Sequence, residues 1–221
     1  MTVAPFIVWG ILAYLIGSIP TGFLWAKARG IDIRTVGSGN IGATNVMRAL
    51  GKGPGIAVLL IDALKGFIPV FLVRGQGAAL PIVCCLAVIA GHNWTCWLKF
   101  KGGKGVATSA GSLGAMLPGP LGCVLIAWAI VFGVSRYVSL ASIAGALTLP
   151  VATWWLTHDV TLLIFTGILG ALVIYKHKSN VQRLLAGTEN RIGRTGPPSP
   201  LKSVNSAGAP GGHALPKDKQ P

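Results

Sequence analysis

"GIAVLLIDALKGFIPVFLV", residues 55–73, is an apolar stretch whose length, as a helix, matches the hydrocarbon core of a bilayer. Because lipid offers no partner to backbone N–H and C=O groups, such a stretch must be helical. Only Asp62 and Lys65 can ionise, and their spacing of three residues puts them on one helix face. Ionisable residues inside membranes usually mark function, but these two can also neutralise each other. The stretch predicts a transmembrane helix and leaves both roles of the pair open.

The whole chain repeats this apolar pattern. Of its 221 residues, 52% are hydrophobic and only 11% are charged, against about 25% charged in soluble domains. Six further apolar segments are Phe6–Ala26, Leu80–Leu98, Val106–Leu117, Leu121–Val134, Leu140–Thr157 and Val160–Tyr175. The third and fourth are short and joined by a Pro-Gly-Pro turn, which predicts a shallow out-and-back pair or one re-entrant element. We therefore predict an all-α polytopic membrane protein with about seven membrane helices, two of them short.

The basic residues indicate how these helices are oriented. The chain carries 19 Lys and Arg against five Asp and Glu, a formal charge of +14. Most of the basic residues lie in segments 27–54 and 99–104 and after the last apolar segment. Since cytoplasmic loops are enriched in Lys and Arg, these segments are predicted to be cytoplasmic and the N-terminus to lie outside. Anionic lipid headgroups and phosphorylated substrates are the expected partners, and nucleic acid is not.

The domain organisation is simple. Residues 1–194 are predicted to form a single integral membrane domain. Residues 195–221 are rich in Pro, Gly and Ser and almost lack large apolar side chains, so they are predicted to form a disordered polar tail. The cysteines lie in or beside apolar segments without the spacing of a metal site, which predicts small buried hydrophobes and no disulfides: Cys84, Cys85, Cys96 and Cys123.

The first basic loop contains "GSGNIGATNVMR", residues 37–48. Gly37, Gly39 and Gly42 match the GxGxxG spacing of a dinucleotide-binding turn. That turn needs a preceding strand and an acidic residue about twenty positions later. Here the loop joins two membrane helices, and the acidic residue at that spacing, Asp62, lies inside one of them. The context therefore disfavours a nucleotide site.

The same loop has groups that can bind phosphate. Its glycines allow close approach of the backbone, Arg48 supplies a two-pronged donor, and a helix beginning near Asn40 would add free N–H groups. The predicted phosphate-contacting residues are Ser38, Gly39, Asn40, Thr44, Asn45 and Arg48. The alternative is a tight interfacial turn whose basic residues are solvated.

The second basic loop is "KFKGGKGVAT", residues 99–108. It is not a Walker motif, because the first glycine of that motif is absent and Gly105 follows the lysine. Its parts are still those of an anion cradle: flexible backbone N–H groups, one ammonium and a hydroxyl at the start of a helix. The predicted phosphate-binding residues are Gly102, Gly103, Lys104, Gly105 and Thr108. The alternative is a loop that only holds a membrane helix in register.

The third polar cluster follows the last apolar segment. In "HKSNVQRLLAGTENRIG", residues 177–193, His177 and Asn180 would share a face if the helix continued. An interfacial histidine without a chemical role is the alternative. Glu189 lies among basic residues and is predicted to order the tail by pairing with Arg183, Arg191 or an arginine of the first loop.

Three more positions are of interest. Ser139 and Ser142, with Arg136, lie at the start of an apolar segment, where they could cap the helix or touch a ligand. His92 lies near the end of another apolar segment, and a structural hydrogen bond is the expected role.

Five blocks, in this order along the chain, carry a family resemblance: "GSIPTG" at 17–22, "GSGNIGATNVMRALG" at 37–51, "DALKG" at 62–66, "GHNWTCWLKFKGGKGVAT" at 91–108 and "HKSNVQRLLAGTENRIG" at 177–193. Together they resemble the bacterial acyl-phosphate:glycerol-3-phosphate acyltransferase (PlsY) family, from about Tyr14 to Gly193. One departure is Thr95, where the family often has proline. The long polar tail is not part of the family pattern.

The resemblance implies the first acylation of phospholipid synthesis at the bacterial inner membrane. An acyl phosphate would donate its acyl group to the 1-hydroxyl of sn-glycerol 3-phosphate, giving lysophosphatidic acid and inorganic phosphate. It implies catalytic roles for Ser38, Arg48, Lys104, His177 and Asn180. It also implies that the loop from Gly102 to Thr108 binds glycerol phosphate and that Glu189 serves integrity. No metal or cofactor is implied.

Two questions stay open on the sequence alone. The proton of the attacking hydroxyl could pass to His177 or to the donor's own phosphate. A transporter of an organic phosphate anion is the alternative function, since it too could use basic loops and intramembrane charges. A transporter site is expected near the bilayer midplane, whereas the polar residues here are predicted to lie at the cytoplasmic face. The His-x4-Asp pattern of thioester-dependent acyltransferases occurs only at His213 and Asp218, within the predicted polar tail, and the clustered aspartates of CDP-alcohol phosphotransferases are absent from the sequence.

Overall fold

The computed structural model describes residues 2–193, and within that range the regular structure is entirely helical. The helices are α1 (Ala4–Ser18), α2 (Thr21–Lys27), α3 (Ala43–Leu50), α4 (Lys52–Val73), α5 (Ala79–Asn93), α6 (Val106–Met116), α7 (Pro118–Ser135), α8 (Val138–Thr157), α9 (Val160–Lys176) and α10 (Lys178–Leu185). Short 3-10 turns follow α2 and α5. The predicted tail, 195–221, lies outside the described residues.

Five helical segments in the described range are long and apolar enough to cross a membrane. They are Ala4–Lys27, Lys52–Val73, Ala79–Leu98, Pro118–Ser135 and Val138–Thr157. Helix α9 is apolar too, and it counts as a sixth span when it is taken together with α10, from which it is separated by a bend. The chain is therefore a multi-pass helical membrane protein. Helix α6 has 11 residues, about 16 Å at 1.5 Å per residue, which is too short to span the hydrocarbon alone.

The prediction that the segment Leu121–Val134 is short is wrong. Helix α7 has 18 residues and begins at Pro118, so the Pro-Gly-Pro sequence forms its first turn and is not a linker. Proline is favoured at the first helical position because its missing N–H would have no partner there anyway. Only α6 of the predicted pair is short.

The first apolar segment is also not one straight helix. It breaks between Ser18 and Thr21, where Pro20 cannot donate to the helical ladder. The ammonium of Lys65 lies 2.9 Å from the freed carbonyl of Ile19 and 2.7 Å from a carboxylate oxygen of Asp62. Both charged side chains are buried. The two side chains therefore neutralise each other, and Lys65 also stabilises the break in the first segment by donating to the carbonyl of Ile19.

Glycines let the membrane helices approach closely. Gly17 and Gly91 place α1 and α5 in backbone contact, and Gly66 and Gly111 do the same for α4 and α6. A Cβ atom at any of the four would collide with a carbonyl of the facing helix. Small residues at such interfaces allow tight van der Waals packing, which drives helix association in lipid.

The cysteines only partly follow the prediction. All four are free; Cys84 and Cys85 are buried in the core, Cys123 is half-buried, and Cys96 is exposed, which corrects the expectation for that residue. Among residues 2–193, no three His, Cys, Asp or Glu side chains come close enough to hold a metal ion.

Candidate active site

Glu189 is the centre of a polar cluster at one end of the helix bundle. Its carboxylate accepts hydrogen bonds from Ser139 Oγ at 2.9 Å, Asn180 Nδ2 at 2.7 Å and Arg183 Nε at 2.7 Å. Burial alone would raise the pKa of Glu189, but these hydrogen bonds outweigh it and hold the pKa below its ordinary value. Of the predicted arginine partners, Arg183 forms the ion pair. The carboxylate thereby joins the start of α8 to α10.

Lys104 is held against this cluster. Its ammonium donates to Oδ1 of Asn180, whose Nδ2 donates to Glu189, so the amide of Asn180 bridges the two charges. Burial lowers the pKa of Lys104 to about 8, against the attraction of Glu189 and with the repulsion of Arg183, Arg48 and Lys176. A partly buried cation with a lowered pKa is poised to gain from an anionic ligand.

The two glycines ahead of Lys104 are not free donors. The N–H of Gly103 donates to the carbonyl of His92 at 2.9 Å, and the N–H of Gly102 donates to that of Asn93 at 3.2 Å. A Cβ atom on Gly103 would collide with the His92 imidazole. These glycines fasten the loop to the end of α5, which corrects the expectation that their N–H groups face a phosphate.

The donors left for an anion are at the start of α6. Gly105 has φ of +74°, a left-handed conformation that suits glycine, and α6 begins immediately after it. The first N–H groups of a helix have no intrahelical partner, and they carry partial positive charge. The hydroxyl of Thr108, predicted to contact a ligand, is instead fully buried. Lys104 and the α6 N-terminus are the groups of this loop that can hold an anion.

The first loop is organised by Asn45. Its Nδ2 lies within hydrogen-bonding distance of three carbonyls, those of Ile33, Val36 and Asn40, at 2.9–3.2 Å, and its Oδ1 accepts from the N–H of Ser38 at 3.0 Å. This amide is therefore engaged in holding the loop in shape. It has no free donor for a phosphate, contrary to the sequence-based expectation.

Other polar groups of this loop also form hydrogen bonds within the protein, and two hydroxyls remain as free donors. Oδ1 of Asn40 accepts from Gly42 at 2.8 Å, and the N–H of Gly39 donates to Val36. Within residues 2–193, the hydroxyls of Ser38 and Thr44 donate to no protein group. Helix α3 begins at residue 43, three residues later than expected. Ser38, Thr44 and the start of α3 are the remaining donors of this loop.

Arg48 brings α3 to the same cluster. Its Nη2 lies 3.4 Å from the carbonyl of Asn190, next to Glu189, and the residue as a whole is exposed. Its charge also acts on Lys104. The two basic loops therefore meet at one end of the bundle.

His177 lies beyond the end of α9, where the chain bends by 56° into α10. The helix therefore does not continue straight from His177 to Asn180, but both side chains are buried near Lys104. Nδ1 of His177 lies 2.7 Å from the carbonyl of Val173. A carbonyl only accepts, so Nδ1 carries the proton and Nε2 is the free acceptor. Burial and then the charge of Lys104 lower the pKa of His177 to about 4, so the ring is neutral near pH 7.

The two serines of α8 are engaged with protein. Ser139 binds Glu189, and Ser142 donates to the carbonyl of Val138 at 2.8 Å and accepts from Trp128 Nε1 at 3.3 Å. A ligand contact by either hydroxyl stays a prediction, and it would require these hydrogen bonds to break.

The segment after α10 closes this end of the molecule. The N–H of Ile192 donates to the carbonyl of Arg136 at 3.0 Å, and Arg191 Nε donates to Ser135 at 3.1 Å. The end of α7 is thus near Glu189, as is the loop that leads into α6. Helices α6 and α7 leave from and return to the same end, as an out-and-back pair requires.

The sequence patterns did not single out Asn93 and Lys176. The carbonyl of Asn93 accepts from Lys176 Nζ at 3.1 Å as well as from Gly102. A backbone oxygen leaves no signal in a sequence, and a lysine at the end of an apolar helix is common at membrane interfaces.

Comparison with known proteins agrees with this geometry. The family described as glycerol-3-phosphate acyltransferase matches residues 7–187. The chain belongs to this family. The predicted resemblance is thereby confirmed. The match takes in the two basic loops and the third polar cluster as far as residue 187, two residues before Glu189.

The similarity to relatives and to solved structures extends over most of this chain. A glycerol-3-phosphate acyltransferase of Desulforamulus reducens is 49% identical over 82% of this chain and 92% of its own. A glycerol-3-phosphate acyltransferase of Geobacter sulfurreducens is 48% identical over 82% of this chain and 94% of its own. The crystal structure of PlsY (YgiH), an integral membrane glycerol 3-phosphate acyltransferase, in its glycerol 3-phosphate form matches with a TM-score of 0.82 at 41% identity, covering 85% of this chain and 96% of that one. Its lysophosphatidic acid form matches with a TM-score of 0.79 at 40% identity, covering 85% and 95%.

Proposed function

We propose that the protein transfers a fatty acyl group from an acyl phosphate to the 1-hydroxyl of sn-glycerol 3-phosphate, giving lysophosphatidic acid and inorganic phosphate. Membership of the glycerol-3-phosphate acyltransferase family supports the acceptor and the reaction. The observation that carries the proposal is the meeting of Arg48 and Lys104, from two separate basic loops, around one polar cluster. Two substrates that each bear a phosphate need two such groups.

The two phosphates are assigned to different donors. Lys104 and the first N–H groups of α6 hold the phosphate of glycerol 3-phosphate, since a cation beside a helix N-terminus is a ready anion site. Arg48, with the free hydroxyls of Ser38 and Thr44 and the start of α3, holds the acyl phosphate. An arginine fork suits a phosphate that must be held in one orientation. Asn180 and Glu189 keep Lys104 in place.

The membrane setting matches these substrates. The enrichment of Lys and Arg in the basic loops supports an orientation with this end of the bundle at the cytoplasmic face and the N-terminus outside, with α6 counted as a seventh, short membrane helix. Residues 1–194 then form one domain in the bacterial inner membrane. The acyl chain stays in lipid while both phosphates meet donors from the aqueous side.

The chemistry needs little more than positioning. An acyl phosphate is a mixed anhydride: the acceptor oxygen forms a bond to the acyl carbon, and the bond to the phosphate oxygen breaks. Holding two reactants in line can contribute up to about 7–11 kcal/mol of barrier reduction. Donors that face the developing oxyanion add to this. No step requires a metal or a cofactor.

The proton of the attacking hydroxyl goes to the departing phosphate. His177 is a weak base, because a pKa of about 4 is far from the operating pH, and catalysis is best when the two are close. Its Nε2 accepts a hydrogen bond from the acceptor hydroxyl and orients it. The bond from Nδ1 to Val173 fixes the ring for that task.

Purified protein in lipid vesicles tests the proposal. Phosphate release from synthetic acyl phosphate should occur only with glycerol 3-phosphate present, should yield lysophosphatidic acid and should survive chelators. Lys104→Met should abolish it, while the exposed neighbour variant Lys101→Met should not. Movement of glycerol 3-phosphate across the vesicle membrane without acyl transfer would make the protein a carrier and overturn the proposal.

A further inference from the structure

One backbone oxygen connects the two halves of the site. The carbonyl of Asn93, the last residue of α5, accepts hydrogen bonds from the N–H of Gly102 at 3.2 Å and from Lys176 Nζ at 3.1 Å. Gly102 lies two residues before Lys104, and Lys176 immediately precedes His177. The loop of Lys104 and the bend at His177 are therefore fastened to the same atom.

Lys176 is well suited to this contact. The last carbonyls of a helix lack intrahelical partners and carry partial negative charge, so an ammonium is the favoured donor there. The same ammonium lies 5.0 Å from the centroid of the Trp94 ring, which attracts cations over its face. Two contacts thus fix the side chain against the end of α5.

We propose that Lys176 is a positioning residue that acts through His177. By fixing the end of α9 to α5, it sets the point at which the chain bends and so aims Nε2 of His177 at the acceptor hydroxyl. Lys176 does not itself touch substrate. The inference rests on the proposed function, in which His177 orients that hydroxyl.

The matched variants are Lys176→Met, which keeps the apolar stem, Lys176→Arg, which keeps the charge, and Lys178→Met, which removes an exposed lysine two residues further on. Each is compared at equal content of folded protein, measured as the monodisperse fraction in detergent. We expect Lys176→Met to lower kcat about 10- to 100-fold, as the loss of a charged hydrogen bond at a site does, with KM for glycerol 3-phosphate almost unchanged. Lys176→Arg should retain most activity, and Lys178→Met all of it.

A double-mutant cycle with His177→Ala shows whether the two residues act as one unit. In the His177→Ala background, Lys176→Met should lower kcat by less than about threefold. The inference would be overturned if the losses of kcat in the two single variants multiplied in the double variant. It would also be overturned if Lys176→Met kept the wild-type kcat, or if His177→Ala were as active as the wild type. A raised KM with kcat retained would overturn it too, because it would make Lys176 a substrate-binding residue. A wild-type protein that transfers no acyl group would overturn the proposed function itself, so the two failures are distinct.

Discussion

Asn180 donates from Nδ2 to Glu189 at 2.7 Å, and this contact decides which way its amide faces. With the nitrogen turned to the carboxylate, the amide oxygen faces Lys104 and accepts from its ammonium. A carboxylate that touches no substrate thereby sets the position of the cation assigned to the phosphate. Ser139 and Arg183 bind the same carboxylate, so the arrangement is fixed from two elements.

Replacing Glu189 should therefore reduce stability and phosphate binding together. Glu189→Ala removes an acceptor from three donors, and a hydrogen bond to a charged group contributes about 1.5–3 kcal/mol. We expect a clear fall in Tm and a raised KM for glycerol 3-phosphate, with a smaller fall for Glu189→Gln, which keeps one acceptor. Asp32→Ala is the control, because its ion pair with Arg34 lies at the surface. Equal Tm values for Glu189→Ala and the control would refute the assigned role.

The pH dependence should report Lys104. Burial lowers its pKa to about 8, so the free protein loses the positive charge as the pH rises through 8. Above that pH, kcat/KM for glycerol 3-phosphate should fall about tenfold per unit, since it reports ionisation of the free enzyme. Bound phosphate favours the charged form, so kcat should fall only at higher pH. The groups acting on Lys104 are Glu189, which favours the charge, and three cations that oppose it: Arg183, Arg48 and Lys176.

Lys104→Arg is the matched variant, because a guanidinium stays charged throughout this range. Its activity at pH 7 is expected to be lower, since arginine has a different shape, but the fall above pH 8 should disappear. A wild-type profile that is flat to pH 10 would contradict the assignment of Lys104.

Gly103 should tolerate no side chain. A Cβ atom there would collide with the His92 imidazole, so Gly103→Ala must push the Lys104 loop away from α5. We expect a KM for glycerol 3-phosphate raised at least about tenfold, which corresponds to a 1.4 kcal/mol loss of binding. Gly53→Ala is the control, because a Cβ atom at that position meets open space. Steady-state kinetics that place both variants at the wild-type KM would disprove the tight packing.

The buried pair in α4 should matter for stability and not for chemistry. Lys65→Met leaves the Asp62 carboxylate unpaired and the Ile19 carbonyl without its donor. Breaking a buried pair typically costs about 3–5 kcal/mol. Thermal unfolding in detergent should show a large fall in Tm for Lys65→Met and a smaller one for the double variant with Asp62→Asn. The kcat of the folded fraction should stay within about threefold of wild type, and a selective loss of kcat would assign the pair a role in the reaction.

The helices were largely predictable, because the length of an apolar run in the sequence indicates the length of the membrane helix that it forms. The exceptions depend on local chemistry that a hydropathy pattern does not register. Pro118 starts α7 one turn earlier than the apolar run does, and Pro20 breaks the first segment. The bend at His177 lies within a sequence that could equally continue as a helix.

The site was predictable in its residue types and less so in its hydrogen bonds. Glycines, lysine and arginine in two basic loops indicated phosphate, and the family blocks located them. The partners of Asn45 and of the two glycines before Lys104 depend on how distant segments fold together. Only the structure shows that these groups bind backbone atoms. The groups that remain for the proposed ligands are Lys104, Arg48, the hydroxyls of Ser38 and Thr44, and the starts of α3 and α6.

Whether Lys104 holds the phosphate of glycerol 3-phosphate can be measured as the affinity of that substrate for the purified protein, by calorimetry at pH 7. We expect the wild type to bind glycerol 3-phosphate but not glycerol, and we expect Lys104→Met to weaken binding more than about tenfold, because a charged hydrogen bond is lost. Unchanged binding in Lys104→Met, or equal binding of glycerol, would contradict this role of Lys104.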